Sequence, residues 1–214
     1  MSKLGRFIVL EGLEGAGKST AVSTIKQFLT ENVADFLVTR EPGGTVVGEA
    51  VRSLVKQSPP HEPLDSRAEL LLMYASRVQL VECVIKPALQ RGTWVLADRF
   101  ELSTFAYQGG GRGLDAKMIE QLSDFCLAGF KPDLLIFLDV PPDLGLRRVL
   151  KRGHTDRIER ESKAFFNAVY DAYHAKLKTM DNVAIIDASQ PQAVVQRAIL
   201  EVLTHDLQQQ RAVD

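Results

Sequence analysis

Only two cysteines, Cys83 and Cys126, occur in the 214 residues, and no Cys-x-x-Cys spacing relates them. Both fall in apolar helical patterns, so buried, reduced thiols are expected. No stretch approaches the roughly 20 consecutive apolar residues of a membrane span. The apolar run Phe7-Ile8-Val9-Leu10 is too short for a secretory core and is closed by Glu11. Neither sign of charge is in excess: 26 Lys and Arg stand against 27 Asp and Glu, a net charge of −1. Nothing global marks a nucleic-acid or membrane binder, so any anion site has to be built locally. No internal repeat is present. These absences point to a cytoplasmic protein.

What is present is a composition of 45% hydrophobic and 25% charged residues. The length suits one α/β domain over residues 1–214. Strands are expected at 6–11, 36–39, 93–98, 133–140 and 183–187. Helical patterns lie near 17–32, 45–57, 65–90, 101–107, 115–128, 142–152, 159–180 and 190–207. Runs such as Leu134-Leu135-Ile136-Phe137-Leu138 are apolar on both faces, as in a parallel sheet covered on both sides. The alternation predicts a five-stranded, doubly wound sheet with right-handed crossovers and ligands beyond the carboxyl ends of its strands. Pro87 should bend or end the long helix that contains it. The polar tail after Leu207 should fray.

Gly12-Leu13-Glu14-Gly15-Ala16-Gly17-Lys18-Ser19 fits G-x-x-x-x-G-K-[ST] at every position, with Thr20 following in the first helical turn. The segment follows an apolar strand and opens a helical pattern, which is the context the motif requires. Glycines let consecutive backbone N–H groups turn inward around a triphosphate, and the helix N-terminus adds partial positive charge. Lys18 is expected to reach the β- and γ-phosphates of ATP, and Ser19 to hold Mg²⁺. The plain alternative is a chance glycine-rich turn before a helix. The loop does not name the reaction, since GTPases, motors and kinases share it. No Asn-Lys-x-Asp segment for reading guanine appears, which leaves a small kinase.

The other strand ends carry Arg40-Glu41-Pro42-Gly43-Gly44-Thr45 and Asp98-Arg99-Phe100-Glu101-Leu102-Ser103, the latter followed by Ala106-Tyr107-Gln108-Gly109. Between them lies Leu71-Leu72-Met73-Tyr74-Ala75-Ser76-Arg77. With the phosphate loop, these segments resemble bacterial thymidylate kinases from Phe7 to about Ala188. The resemblance implies a P-loop NTPase fold, ATP and Mg²⁺ as cofactors, dTMP as substrate and a homodimer. It implies that Arg99 grips the acceptor phosphate, with Asp98 near the metal and the transferring group. An arginine fork suits that task; the alternative is an ion pair closing the strand. Arg40, Glu41 and Pro42 fall on the acceptor side. Arg77 matches an arginine bonded to a thymine carbonyl, or else it is a snorkelling surface residue. Tyr107 and Gln108 match residues bordering the deoxyribose and base, Ser103 one near the base, and Glu14 an acid near the 3′-hydroxyl. For Ser103 and Gln108, simple loop or cap bonding competes. Met73 departs from the usual stacking phenylalanine. Either the base is held more loosely, or Tyr74, Phe100 or Phe105 compensates, or Met73 is plain core.

The basic stretch at 147–159, Arg147-Arg148-Val149-Leu150-Lys151-Arg152-Gly153-His154-Thr155-Asp156-Arg157-Ile158-Glu159, is either a solvated charged loop or a closing lid. The phosphate loop offers no basic residue among Leu13, Glu14, Gly15 and Ala16. The resemblance therefore puts the basic catalytic residue in the lid, with Arg152 first, then Arg157, then Arg148. The expected reaction is phosphorylation of dTMP by ATP. The rivals are another nucleoside or nucleotide kinase, such as a deoxynucleoside or UMP/CMP kinase, and a nucleotide-dependent switch without catalysis.

Overall fold

A computed structural model describes residues 4–57, 61–153 and 155–213. The central strand, β1 (Phe7–Gly12), is buried along its whole length. It pairs in parallel with β3 (Trp94–Asp98) on one side and β4 (Leu134–Asp139) on the other. β2 (Phe36–Arg40) extends the sheet beyond β3, and β5 (Val183–Asp187) extends it beyond β4. The order is β2-β3-β1-β4-β5, all parallel. The five expected strands are all present, shifted by a residue or two at their ends. Phe7, Ile8, Val9 and Leu10 are fully inaccessible, as a strand covered on both faces requires. The chain runs from β1 out to β2, returns to β3 and then crosses β1 to β4, and the crevice at this reversal opens at the carboxyl ends, where residue 12 onward, Asp98 and Asp139 emerge.

Helices α1 (Lys18–Asn32), α2 (Val46–Lys56) and α3 (Ser66–Leu80) each follow a recognisable start. Thr45 caps α2 by accepting from Gly48 N, and Asp65 caps α3 by accepting from Arg67 N. The helix expected over 65–90 is not uniform. A π-helical turn at Val81–Ile85 separates α3 from α4 (Lys86–Gln90). Pro87 lacks a donor and crowds the carbonyl four residues back, and the wider turn just before it absorbs the misfit. The same turn changes the phase of the helical pattern. Cys83 is exposed and Cys126 half-buried, so the expectation of two buried thiols fails.

Beyond β3, α5 (Glu101–Thr104) runs into a second π-helical segment, Phe105–Gly111, and α6 (Ala116–Leu127) follows. α7 (Pro142–Arg152) leads into the basic stretch, and α8 (Lys163–Leu177) returns from it. The last helix, α9 (Gln192–Val213), continues past Leu207, so the tail is helical where fraying was expected. His154, inside the stretch expected to be a lid, lies outside the described residues.

Candidate active site

A cavity of about 460 Å³ opens over the carboxyl end of the sheet. One end is the phosphate loop, contributing Gly15, Gly17, Lys18, Ser19 and Thr20; the other end carries Met73, Ser103, Tyr107 and Gln108, with Asp98 and Arg99 between. Gly12, Leu13 and Ala16 belong to the loop's buried side. Gly17 holds φ 91° at the start of α1, where a side chain would be strained. A Cβ on Gly15 would lie 2.2 Å from the carbonyl oxygen of Gly145, so the loop backbone sits directly against the first turn of α7. Lys18 Nζ donates to the carbonyls of Gly12 (2.9 Å) and Leu13 (2.8 Å), curling back over the loop. Burial, and next the charge of Arg99, lower its ammonium to about 8.

Arg99 is the centre of the opposite wall. Its backbone is left-handed, with φ 71°, a conformation that costs a non-glycine residue on the order of 1–3 kcal/mol. Its amide is fixed by donation to Leu10 O at 2.9 Å. The guanidinium then donates to Glu14 (2.6 Å), Ser103 (3.0 Å), Tyr173 (3.1 Å) and Tyr107 (3.2 Å), and lies 5.0 Å from the Tyr107 ring centre. Burial alone would lower its proton affinity, but Tyr107, Glu14, Tyr173 and Glu11 more than offset this, so the group is held firmly cationic. Tyr107 also donates to Glu14, and burial keeps the Tyr107 and Tyr173 hydroxyls protonated.

Behind Arg99, Glu11 is fully inaccessible. It accepts from the Phe100 and Ser103 amides (2.9 and 3.1 Å), from Ser103 Oγ (2.7 Å) and from Tyr173 Oη (3.0 Å). Neither Glu11 nor Tyr173 stood among the residues expected in the site. Glu11 had a signal, since it is a carboxylate closing an apolar strand. Tyr173, on the buried face of α8, had none. Arg52 of α2 and Glu69 of α3 were also missed: Arg52 lines the cavity and donates to Pro42 O at 2.9 Å.

The remaining expected residues divide. Arg40, Glu41 and Pro42 line the cavity; the Arg40 side chain is half-exposed and pairs with Glu49 at 3.0 Å. Met73 lines it too, packed with Val51 and Val55, whereas Tyr74, Phe100 and Phe105 do not reach it. Arg77 is sealed off at 0% exposure. It donates to Glu41 (2.7 Å), Thr104 (2.9 Å) and Phe100 O (3.2 Å), with Tyr74 and Phe100 rings at 5.0 and 5.4 Å. Its Nη1 has no partner among the described residues. Arg77 is therefore neither a snorkelling surface residue nor part of the cavity lining.

In the basic stretch, Arg152 is exposed, lines the cavity and pairs with Glu159. Arg157 is turned away: it donates to Val55 O (2.7 Å) and pairs with Glu69. Arg148 donates to Gly15 O (3.2 Å) and Ala188 O (2.9 Å), and it borders a second cavity of about 270 Å³ that also reaches Gly17, Thr20, Gln190 and Gln192. Asp98 projects into the main cavity with Oδ1 buried and without a partner among the described residues. With the Ser19 hydroxyl, also on the cavity wall, it makes an all-oxygen donor set suited to Mg²⁺, which needs few protein ligands when phosphates supply the rest.

A phosphate-binding loop and a half-buried, multiply held arginine lining one cavity are the arrangement of a phosphoryl-transfer site. A sequence model described as thymidylate kinase matches residues 10–199. Thymidylate kinases of Legionella pneumophila, strains Corby and Paris, are 52% and 51% identical over 212 residues, covering 97% of this chain and the whole of each relative. The chain belongs to the thymidylate kinase family. The all-parallel, five-stranded sheet is consistent with the P-loop NTPase fold of thymidylate kinases.

Proposed function

We propose that this chain transfers the γ-phosphoryl group of ATP to dTMP, giving ADP and dTDP, a step in dTTP synthesis. The observation that carries the reading is that Lys18 of the phosphate loop and Arg99 line one cavity, in a chain of the thymidylate kinase family. An oxygen of the acceptor phosphate attacks the γ-phosphorus while the bond to the β–γ bridging oxygen breaks, and ADP leaves with that electron pair. The acceptor is already an anion, so no strong general base is needed.

Each residue's task is positioning or charge stabilisation. The loop amides and Lys18 hold the β- and γ-phosphates. Arg99 holds the acceptor phosphate, releasing its contact with Glu14, which then turns to the sugar hydroxyl. Ser19 and Asp98 would hold Mg²⁺, which when bound neutralises phosphate charge. Tyr107 walls the deoxyribose, and Met73, Ser103 and Gln108 surround the base, with Arg40, Glu41 and Pro42 along the same side. The base of ATP takes the second cavity, beside Arg148 and Gln190. Arg152, the exposed lid arginine on the main cavity, is the basic catalytic residue, ahead of Arg157 and Arg148. Arg77, enclosed beside the cavity, serves the acceptor by fixing Glu41, to which it donates at 2.7 Å.

The described residues include no helix long and apolar enough to cross a membrane. The enzyme works in the cytoplasm, on a small-molecule substrate and with neither nucleic acid nor membrane as partner. It acts as a single kinase domain and pairs as a homodimer. Leu71 on α3 with Met118 and Phe125 on α6, all exposed, supports a pairing face; the residues at 70, 74 and 80 are spent in the core. A coupled assay of ADP release, with and without dTMP, tests the proposal. Nucleotide binding without acceptor-dependent ADP release would reduce the protein to a switch. A panel of dTMP, dUMP, UMP, dCMP and thymidine ranks the acceptors.

A further inference from the structure

We infer that Glu69 is a positioning residue: it locks the side-chain amide of Gln108 with its oxygen free for the acceptor, so that the site selects a pyrimidine carrying a ring N–H between two carbonyls. The inference rests on the acceptor reading above and adds to it the group that sets base selectivity.

Gln108 lies in the π-helical segment and lines the acceptor end of the cavity, with only 3% of its surface exposed. Its Nε2 donates to Glu69 Oε1 at 2.7 Å, and its Oε1 is buried with no partner among the described residues. Glu69 is itself fully inaccessible and also accepts from Arg112 Nε at 3.3 Å and from Arg157. Burial works against its charge, but the bonds from Arg157 and Gln108 and the charge of Arg112 more than offset that, leaving its carboxyl below the usual range. A carboxylate between two guanidiniums can only accept. The amide nitrogen must therefore face Glu69, and the flipped amide would set oxygen against oxygen. The orientation, elsewhere a matter of assignment, is here dictated by charge.

An inaccessible carbonyl oxygen without a partner is uncommon in folded proteins and is relieved only by a donor. Thymine and uracil offer a ring N–H; cytosine presents a lone pair at the same ring position. A site whose buried polar group goes unpaired rejects the mismatched ligand far more strongly than a methyl-sized pocket does. Glu69 and Met73 are one helical turn apart on α3, so the residue that orients the amide and the residue beside the base share one rigid element.

The test is the ratio of kcat/KM for dTMP to that for dCMP, measured in the intact enzyme, in Glu69→Gln, in Gln108→Met and in the double variant. Glu69→Gln, able to donate as well as accept, lets the amide turn and should lower the ratio about tenfold or more. Gln108→Met should lower it similarly, and adding Glu69→Gln to Gln108→Met should change it no further. If Glu69→Gln is unstable, Glu69→Asp keeps the charge, shortens its reach and should lower the ratio as well. Equal losses on both acceptors in the Glu69 variants, or a further fall of the ratio in the double variant, would overturn the inference. An unmodified enzyme that ignores dTMP yet phosphorylates a different acceptor would overturn the acceptor reading first.

Discussion

At the donor end of the cavity the proposed anion site is one unbroken segment, residues 12–19, acting largely through backbone amides. At the acceptor end a single guanidinium is held by side chains from β1, the phosphate loop, α5, the π-helical segment and α8. Main-chain donors cannot be deleted by substitution, so the donor end depends on one side-chain cation and on the glycines, such as Gly15 and Gly17, that keep the path of the loop open. Every part of the acceptor site is a removable side chain, and each part leans on the others. Single changes there should be graded in size and far from additive.

The largest effect should come from Lys18→Ala. Loss of the ammonium that follows charge onto the transferring group should cost about 10³-fold or more in kcat. The fold should be kept, because Lys18 bonds only to carbonyls of its own loop. Single-turnover kinetics with a melting curve check both halves. Turnover near normal would remove the loop lysine from the mechanism and erase the contrast between the two ends.

Arg99→Lys should come next, with a loss of about 10²-fold in kcat/KM for dTMP and little change in KM for ATP. A lysine keeps the charge but cannot span Glu14, Ser103, Tyr107 and Tyr173 together. Tyr173→Phe should lose about tenfold or more, because its hydroxyl accepts from Arg99 and donates to Glu11, and a hydrogen bond to a charged group is worth about 1.5–3 kcal/mol. In Arg99→Lys that second change should cost less. Full additivity of the two would show that the acceptor wall is a set of independent contacts rather than one network.

How much of each end could be read beforehand follows from the same difference. The donor loop was legible because all its groups are neighbours in sequence and its strand and helix flank it directly. At the acceptor end Asp98-Arg99 could be read from its place at the end of a strand, and Tyr107 and Gln108 only from the family resemblance. The groups that hold them lie far away: Tyr173 meets Glu11 across 162 residues of chain, and Arg157 meets Glu69 across 88. Helical periodicity placed Arg77 on the inner face of α3, but the burial of its whole guanidinium depends on Glu41, 36 residues earlier. Periodicity also misplaced Cys83, because the π-helical turn around it is a response to Pro87 and breaks the regular spacing.

Arg152→Ala should lower kcat about tenfold while leaving KM for dTMP nearly unchanged, since an exposed side chain in the proposed lid would act only when charge develops. Steady-state kinetics at saturating ATP would register this. An unchanged kcat would pass the role to Arg148, which already touches the phosphate loop, and would bring the lid's chemistry inside the rigid donor end.

The smallest effect concerns the enclosed pair behind the acceptor wall. Burial, only partly opposed by Arg77, pushes the Glu41 carboxyl up to about 7 from an ordinary value of 4.5. A carboxyl that binds its proton more tightly folded than unfolded favours the folded state at low pH. That benefit is complete below the unfolded value and is lost as pH rises through the folded one. Stability should therefore fall with rising pH between about 5 and 7 at no more than about 1.4 kcal/mol per pH unit from this group. Denaturant melts across that range compare the unmodified chain with Glu41→Gln, which keeps a hydrogen-bond acceptor for Arg77 and cannot titrate. The variant should show a flatter profile with the difference concentrated between 5 and 7. Parallel profiles would mean that Arg77 keeps Glu41 ionised throughout, and the pair would then behave as a fixed dipole supporting the acceptor wall at every pH.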